Sequence, residues 1–231
     1  MGSEQGAWIP TRQMDLEPVR VVSWDIDGTM YDLHHLMKAF KIDLLRRMFS
    51  FEWIAAWRDF FRLLRFKRHM DRVRKKGGQY RVGVVPDRDH IEQTQDEMYG
   101  RILPQIGPSA GVVELMEWFQ QQGFVQIAFS DYRPSTKLKA LGVEAFFQHV
   151  FAGEDIDHLK PAPEAFHHIL THLDVKPNEF LHIGDRIDTD AGAASVVGYQ
   201  VALIGPEYSS AEEMLGCAKE VWRLSGRTPK S

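Results

Sequence analysis

The spacing of apolar residues changes along the chain. Residues 19–24, VRVVSW, form a short β-branched run that stops at Asp25 and turns at Gly28, the pattern of a buried strand. Residues 32–76 then carry apolar positions at helical spacing, with Asp32 placed as a cap and Gly77-Gly78 as a stop. A break near Phe49-Ser50 predicts two helices there, and residues 88–102 predict another, up to Pro104. Residues 80–86 are assigned to no element. From Ser109 onward helices and strands alternate. Helices are predicted over 109–122, 134–141, 163–173 and 188–197, the first, second and fourth closed by Gly123, Gly142 and Gly198. Strands are predicted over 124–130, 149–153, 180–184 and 199–204. Strands alternating with helices of about 10–15 residues imply a parallel sheet covered on both faces. The expected fold is therefore a Rossmann-like, doubly wound α/β core with an inserted α-helical unit after the first strand.

Charge sharpens the division. The 231-residue chain has a net charge of −4. Between Lys38 and Arg81, however, lie 14 basic and only 4 acidic residues, leaving 14 basic and 28 acidic for the remainder. Such a shift marks a separate structural unit. No apolar run approaches the roughly 18 residues of a membrane span. The opening MGSEQGAWIP lacks the basic-then-apolar pattern of a secretory signal, and Gly6 stands where a myristoylation signal wants Ser or Thr. The single cysteine, Cys217, precludes an internal disulfide and suits a small buried role in a reducing compartment. A cytoplasmic protein is expected, with no nucleic-acid partner.

The chemistry gathers at strand ends. The first predicted strand ends in Asp25 and Asp27, the one at 124–129 in Ser130 and Asp131, and the one at 180–183 in Gly184-Asp185. Ligand sites of doubly wound sheets lie at the carboxyl ends of their strands. Two carboxylates one residue apart repel unless a cation, a shared proton or open water relieves them.

Four motifs then stand in order: WDIDGT at 24–29, the strand ending in Ser130, Lys160 within HLKPAPEAF, and GDRIDTD at 184–190. Together they resemble the haloacid dehalogenase superfamily, across almost the whole chain. The resemblance implies Asp25 as nucleophile and Asp27 as general acid and base, the Asp25 charge raising the pKa of Asp27. Ser130 would donate to a phosphoryl oxygen and Lys160 would neutralise charge on the transferring group. Gly28 would let backbone approach the phosphate, Thr29 would steady that turn, and Asp131 and Arg133 would lie near the substrate. The implied cofactor is Mg²⁺, held by Asp25, the Asp27 carbonyl and Asp185, with either Asp190 or Asp188 assisting and the other capping a helix. An aspartate two positions after the nucleophile resembles phosphatases and phosphomutases rather than dehalogenases. The expected function is hydrolysis of a small phosphate monoester. A phosphomutase similar to β-phosphoglucomutase and a non-catalytic binding module are the alternatives.

By the same resemblance residues 1–30 and 106–231 form the core domain and 31–105 a helical cap. Within it, Trp53, Trp57, Phe60, Phe61 and Leu64 share one helix face, with Arg58, Arg62 and Arg65 off it. The face suits packing within the cap. The basic residues also suit a lid attracting an anionic substrate, or peripheral contact with an anionic membrane. His34 and His35 open the cap, where they could meet substrate. His168 and His172, four apart on a predicted helix, are expected to be structural.

Overall fold

The computed structural model describes residues 14–49, 53–76 and 88–226. Five parallel strands form one sheet: β1 (Val21–Trp24), β2 (Val125–Ser130), β3 (His149–Ala152), β4 (Phe180–Gly184) and β5 (Gln200–Leu203), in the order β3-β2-β1-β4-β5. The first strand is central, with Val21 opposite both Val125 and Phe180. The chain moves outward on one side of β1 and then restarts on the other, so β1 lies at the topological switch point.

Alternation along the strands feeds two cores. Val22 and Trp24 face α4 (Val112–Gln121) and α8 (Ala211–Leu224), packing with Leu115, Phe119 and Met214. Val21, Ile127 and Phe129 face the opposite side, with Phe166 and Ile169 of α6 (Pro163–Leu173) and with Tyr199. One buried polar group needs explanation on the first side. The Trp24 indole donates to Gln126 Oε1 at 3.0 Å, and Gln126 Nε2 donates to the Met116 carbonyl at 2.9 Å, so both groups find an acceptor inside the core.

The insert is three helices, α1 (Leu33–Met48), α2 (Trp53–Lys75) and α3 (Arg88–Ile106). Asp32 caps α1 as expected, accepting from the backbone N–H of His34 at 2.6 Å and of His35 at 3.2 Å. Both roots of the insert belong to the main core, through Leu36 near the start of α1 and Ile102 and Leu103 near the end of α3. Farther out, Phe66 and Met70 of α2 pack with Ile91 of α3 and with Leu159 of the sheet domain, against Tyr132.

Several elements differ from the sequence pattern. Helix α3 passes through Pro104 and ends two residues beyond it, because only the last turn is affected. Helix α4 begins at Val112 rather than 109. Gly111 has φ +80°, and a side chain there would collide with Glu212. Of residues 188–197 only α7 (Ala194–Val197) is α-helical, since the Asp190 carboxylate takes the N–H groups of Asp185 and Arg186 and forms a tight loop. Helix α8 has no counterpart in the expected elements. It is capped by Ser210, which accepts from Glu213 N–H. The Gly77-Gly78 stop and residues 80–86 lie outside the described residues. The aromatic face of α2 is also placed differently. Trp53, Trp57 and Phe61 are exposed, while Phe66 and Met70 are buried. The packed stripe is therefore Leu63, Phe66, Met70 and Val73, rotated from the aromatic one.

Candidate active site

The site sits where β1, β2 and β4 end. The sheet itself fixes Asp25, whose N–H donates to the Ile183 carbonyl at 2.8 Å. The Asp25 carboxylate accepts from Lys160 Nζ and, at 3.1 Å, from Thr29 Oγ1. Lys160 arrives from the loop before α6. Its own N–H donates to Asp131 Oδ1 at 2.8 Å, and its Nζ also donates to Asp190 Oδ1 at 2.6 Å. Asp27, Ser130, Tyr132, Asp185, Arg186 and Thr189 join Asp25, Asp131, Lys160 and Asp190 in lining a cavity of about 60 Å³.

Asp25, Asp185 and Asp190 each offer a carboxylate oxygen within 4.8 Å of the others. Three hard oxygen donors converging in this way suit a divalent cation such as Mg²⁺. Two glycines leave the room. A Cβ at Gly28 would collide with the Asp185 carboxylate, and one at Gly184 with the Asp190 carboxylate. Gly28 also has φ +96°, a conformation that disfavours side chains.

The structure separates the two later aspartates. Asp188 is exposed and paired with Arg186 at 2.6 Å. Asp190 is buried, and its carboxylate accepts from Lys160, His182 and two backbone N–H groups. With both oxygens so engaged, Asp190 suits a supporting contact to a cation more than a direct one.

The charges arrange themselves unevenly. Burial opposes ionisation of Asp190, but the Lys160 charge and the His182 hydrogen bond outweigh it and hold its carboxyl well below the usual range. Asp25 has the reverse balance. Burial, joined by the charges of Asp190, Asp27 and Asp185, outweighs Lys160 and pushes it upward. Burial and Asp190 likewise push Asp185 up to about 6. Buried carboxylates this close raise one another's pKa, and a cation among them would lower it. Lys160 stays protonated: burial disfavours its charge, yet Asp190 and Asp25 more than compensate.

Asp27 overturns one expectation. Its pKa is lowered, not raised by Asp25. Burial does push it up, but Lys137 pulls it further down through its charge and a hydrogen bond, aided by the Tyr31 hydroxyl. Lys137 of α5 (Ser135–Leu141) is itself buried and reaches Asp27 Oδ2 at 2.5 Å. Arg133 needs correction too. Its guanidinium lies away from the carboxylates, bridging Asp155 at 2.9 Å and Glu92 at 3.0 Å. Thr29 is buried against Asp25 and Asp185 rather than lining the cavity, and Asp131 anchors the Lys160 loop.

Three functional neighbours escaped the sequence pattern: Lys137, Tyr31 and His182. His182 is fully buried in β4, hydrogen-bonded to Ser23 and Asp190. A histidine inside the apolar run FLHIG was the available signal for it. Lys137 gave none, since a lysine on a short helix is ordinarily solvated. His168 and His172 stack on one another beside Phe151 and His149, remote from the carboxylates.

Comparison with known proteins agrees with this geometry. Glyceraldehyde 3-phosphate phosphatase of Methanopyrus kandleri is 24% identical over 194 residues, spanning 78% of this chain and 81% of its own. Ribulose-1,5-bisphosphate 5-phosphatase of Halopiger xanaduensis is 30% identical over 119 residues, 50% of this chain and 49% of its own. Among solved structures, a HAD phosphatase from Thermococcus onnurineus superposes with a TM-score of 0.58 at 18% identity, over 92% of this chain and all of that one. A 2-haloacid dehalogenase from Pseudomonas syringae superposes with 0.61 at 16% identity, over 87% and 99%. One fold thus carries both chemistries. The haloacid dehalogenase-like hydrolase family model matches residues 19–198, a span that holds every carboxylate of the cavity, and the chain belongs to that family.

Proposed function

We propose that this protein is a Mg²⁺-dependent phosphatase that hydrolyses a small phosphate monoester through an aspartyl-phosphate on Asp25. The observation that carries the proposal is the meeting of Asp25, Ser130, Lys160 and Asp185 around one cavity at the ends of three strands. A bound Mg²⁺ would supply charge neutralisation and orientation for the phosphate oxygens. Asp25, Asp185 and, in support, Asp190 would hold it, with the Asp27 carbonyl.

The chain's own groups divide the remaining work. Lys160 fixes the Asp25 carboxylate beside the cavity and brings positive charge to the transferring phosphoryl group. Ser130 is placed to donate to one phosphoryl oxygen. Asp25 attacks phosphorus, and the alcohol leaves with a proton from Asp27. Ionised Asp27 then takes a proton from water as that water attacks the aspartyl-phosphate, restoring Asp25. Held low by Lys137, Asp27 is ready for the second step. The negative charge of an arriving phosphate favours the protonation needed for the first. We assign residues 1–30 and 106–231 to the core domain and 31–105 to the cap, which excludes water when closed.

The decisive experiment is phosphate release from a panel of esters, with Mg²⁺ or with EDTA. The wild type is expected to be active only with Mg²⁺, and Asp25→Asn to be inactive on every ester. An active Asp25→Asn protein would remove the aspartyl-phosphate from the scheme. Transfer of phosphate to a sugar rather than to water would make the protein a mutase.

A further inference from the structure

A second cavity, of about 330 Å³, lies between the three helices of the insert. Leu36, Phe40, Phe60, Leu63, Leu64 and Met98 form most of its wall, Lys67 and Gln95 are polar members of it, and no carboxylate or histidine lines it among the described residues. Tyr132 walls both this cavity and the phosphate site. A second link runs through Tyr99, which lines the apolar cavity and lies under Lys137 Nζ at 4.6 Å, the same Nζ that holds Asp27. The two cavities therefore share a wall, and an alcohol extending from a bound phosphate past Tyr132 would meet the apolar space.

Its chemistry restricts that alcohol. A site that selects a polyol needs several hydrogen-bonding groups converging on it, and this mostly Leu, Phe and Met wall offers few, chiefly Gln95 and the solvent-exposed Lys67. It does reward apolar area removed from water. The lining also continues outward. Phe60 makes ring contacts with Trp57 at 6.0 Å and Phe61 at 5.5 Å. Both of those, with Trp53 and Met37, are exposed.

We propose that the substrate is an amphiphilic phosphate monoester, its phosphate at Asp25 and its alkyl or isoprenoid chain in the apolar cavity of the insert. The assignment rests on the phosphatase reading above and names its substrate class.

The test is a chain-length series of n-alkyl phosphates from ethyl to decyl, below their micelle concentrations, beside glycerol phosphate and phosphoglycolate. kcat/KM is expected to rise about fourfold per methylene until the cavity is full, the fold-change equivalent to about 0.8 kcal/mol per buried CH₂. Leu64→Gln should flatten that rise with chain length. Leu64→Trp, apolar but larger, should bring the plateau to a shorter chain. Binding of the matching non-hydrolysable alkylphosphonates to the Mg²⁺-loaded protein gives a readout independent of turnover. Hydrolysis that is flat with chain length, or fastest on the polar esters, overturns the amphiphile assignment and leaves the phosphatase intact. Length-dependent phosphonate binding without any hydrolysis supports the cavity assignment and overturns the phosphatase. Neither hydrolysis nor length-dependent binding overturns both.

Discussion

At the scale of residues, the two aspartates of the first motif have opposite fates. Asp25 is pushed toward protonation by burial among carboxylates, whereas Lys137 keeps Asp27 ionised. Replacing Lys137 with Met should cut kcat by about 10²-fold or more, the lower end of what general acid–base catalysis contributes. KM should change little, and steady-state kinetics on any accepted ester reads both. Mg²⁺ at 100 times its Kd should stabilise the wild type by about 2.7 kcal/mol. The corresponding rise in Tm should vanish in Asp185→Asn, as differential scanning fluorimetry would show. The sequence made Asp25, Asp27, Ser130, Lys160 and Asp185 legible because each stands at a strand end or a marked loop. It hid Lys137 because the helix that carries it looks like any amphipathic surface helix. Only the tertiary fold turns that lysine inward.

At the scale of elements, short polar contacts decide where the insert sits and where its helices start. Arg88, at the start of α3, donates to the buried carboxylate of Glu154 in the loop after β3, and Glu154 also accepts from the Arg133 N–H at 2.8 Å. Removing the Glu154 charge leaves buried Arg88 with its longer contact to Glu92, at 3.8 Å, so Glu154→Gln should cost at most about 3–5 kcal/mol in urea denaturation. Adding Arg88→Met should recover part of that loss. The Asp32 cap of α1 supports a pH prediction. Backbone N–H donation from His35 and His34 outweighs the small effect of burial and lowers the Asp32 pKa. Its contribution is thus fully present above the usual carboxyl pKa and is lost as pH falls through the lowered one. Asp32→Ala should cost about 1 kcal/mol at neutral pH and progressively less in acid, measured as the gap between the two unfolding curves. Element type was legible from period and punctuation for β1 to β5 and most helices. The rotation of α2 was not, because Trp53, Trp57 and Phe61 are spaced as a buried face would be, and only contact with Leu159 and Tyr132 selects the stripe one step round.

At the scale of the molecule, charge is segregated between a basic insert and an acidic remainder. A basic wall facing an anionic substrate focuses it toward the cavity. kcat/KM should therefore fall with added KCl while kcat holds, and a salt-independent kcat/KM would show that the insert's charge does not steer. No helix among the described residues is long and apolar enough to cross a membrane. The alternation of strands and helices made the doubly wound sheet legible. It could not reveal α8, whose packing on α4 depends on partners about 100 residues apart.

The central place of β1 has a consequence for the order of events during synthesis. Val21 pairs with Val125 and Phe180, partners made roughly 100 and 160 residues later. At roughly 5–20 residues per second, its first neighbour follows after roughly 5–20 s. The strand bearing Asp25 thus leaves the ribosome before its partners and waits as an unpaired apolar segment while the whole insert is made. Asp25 and Asp27 are made well before the strands that hold them in place.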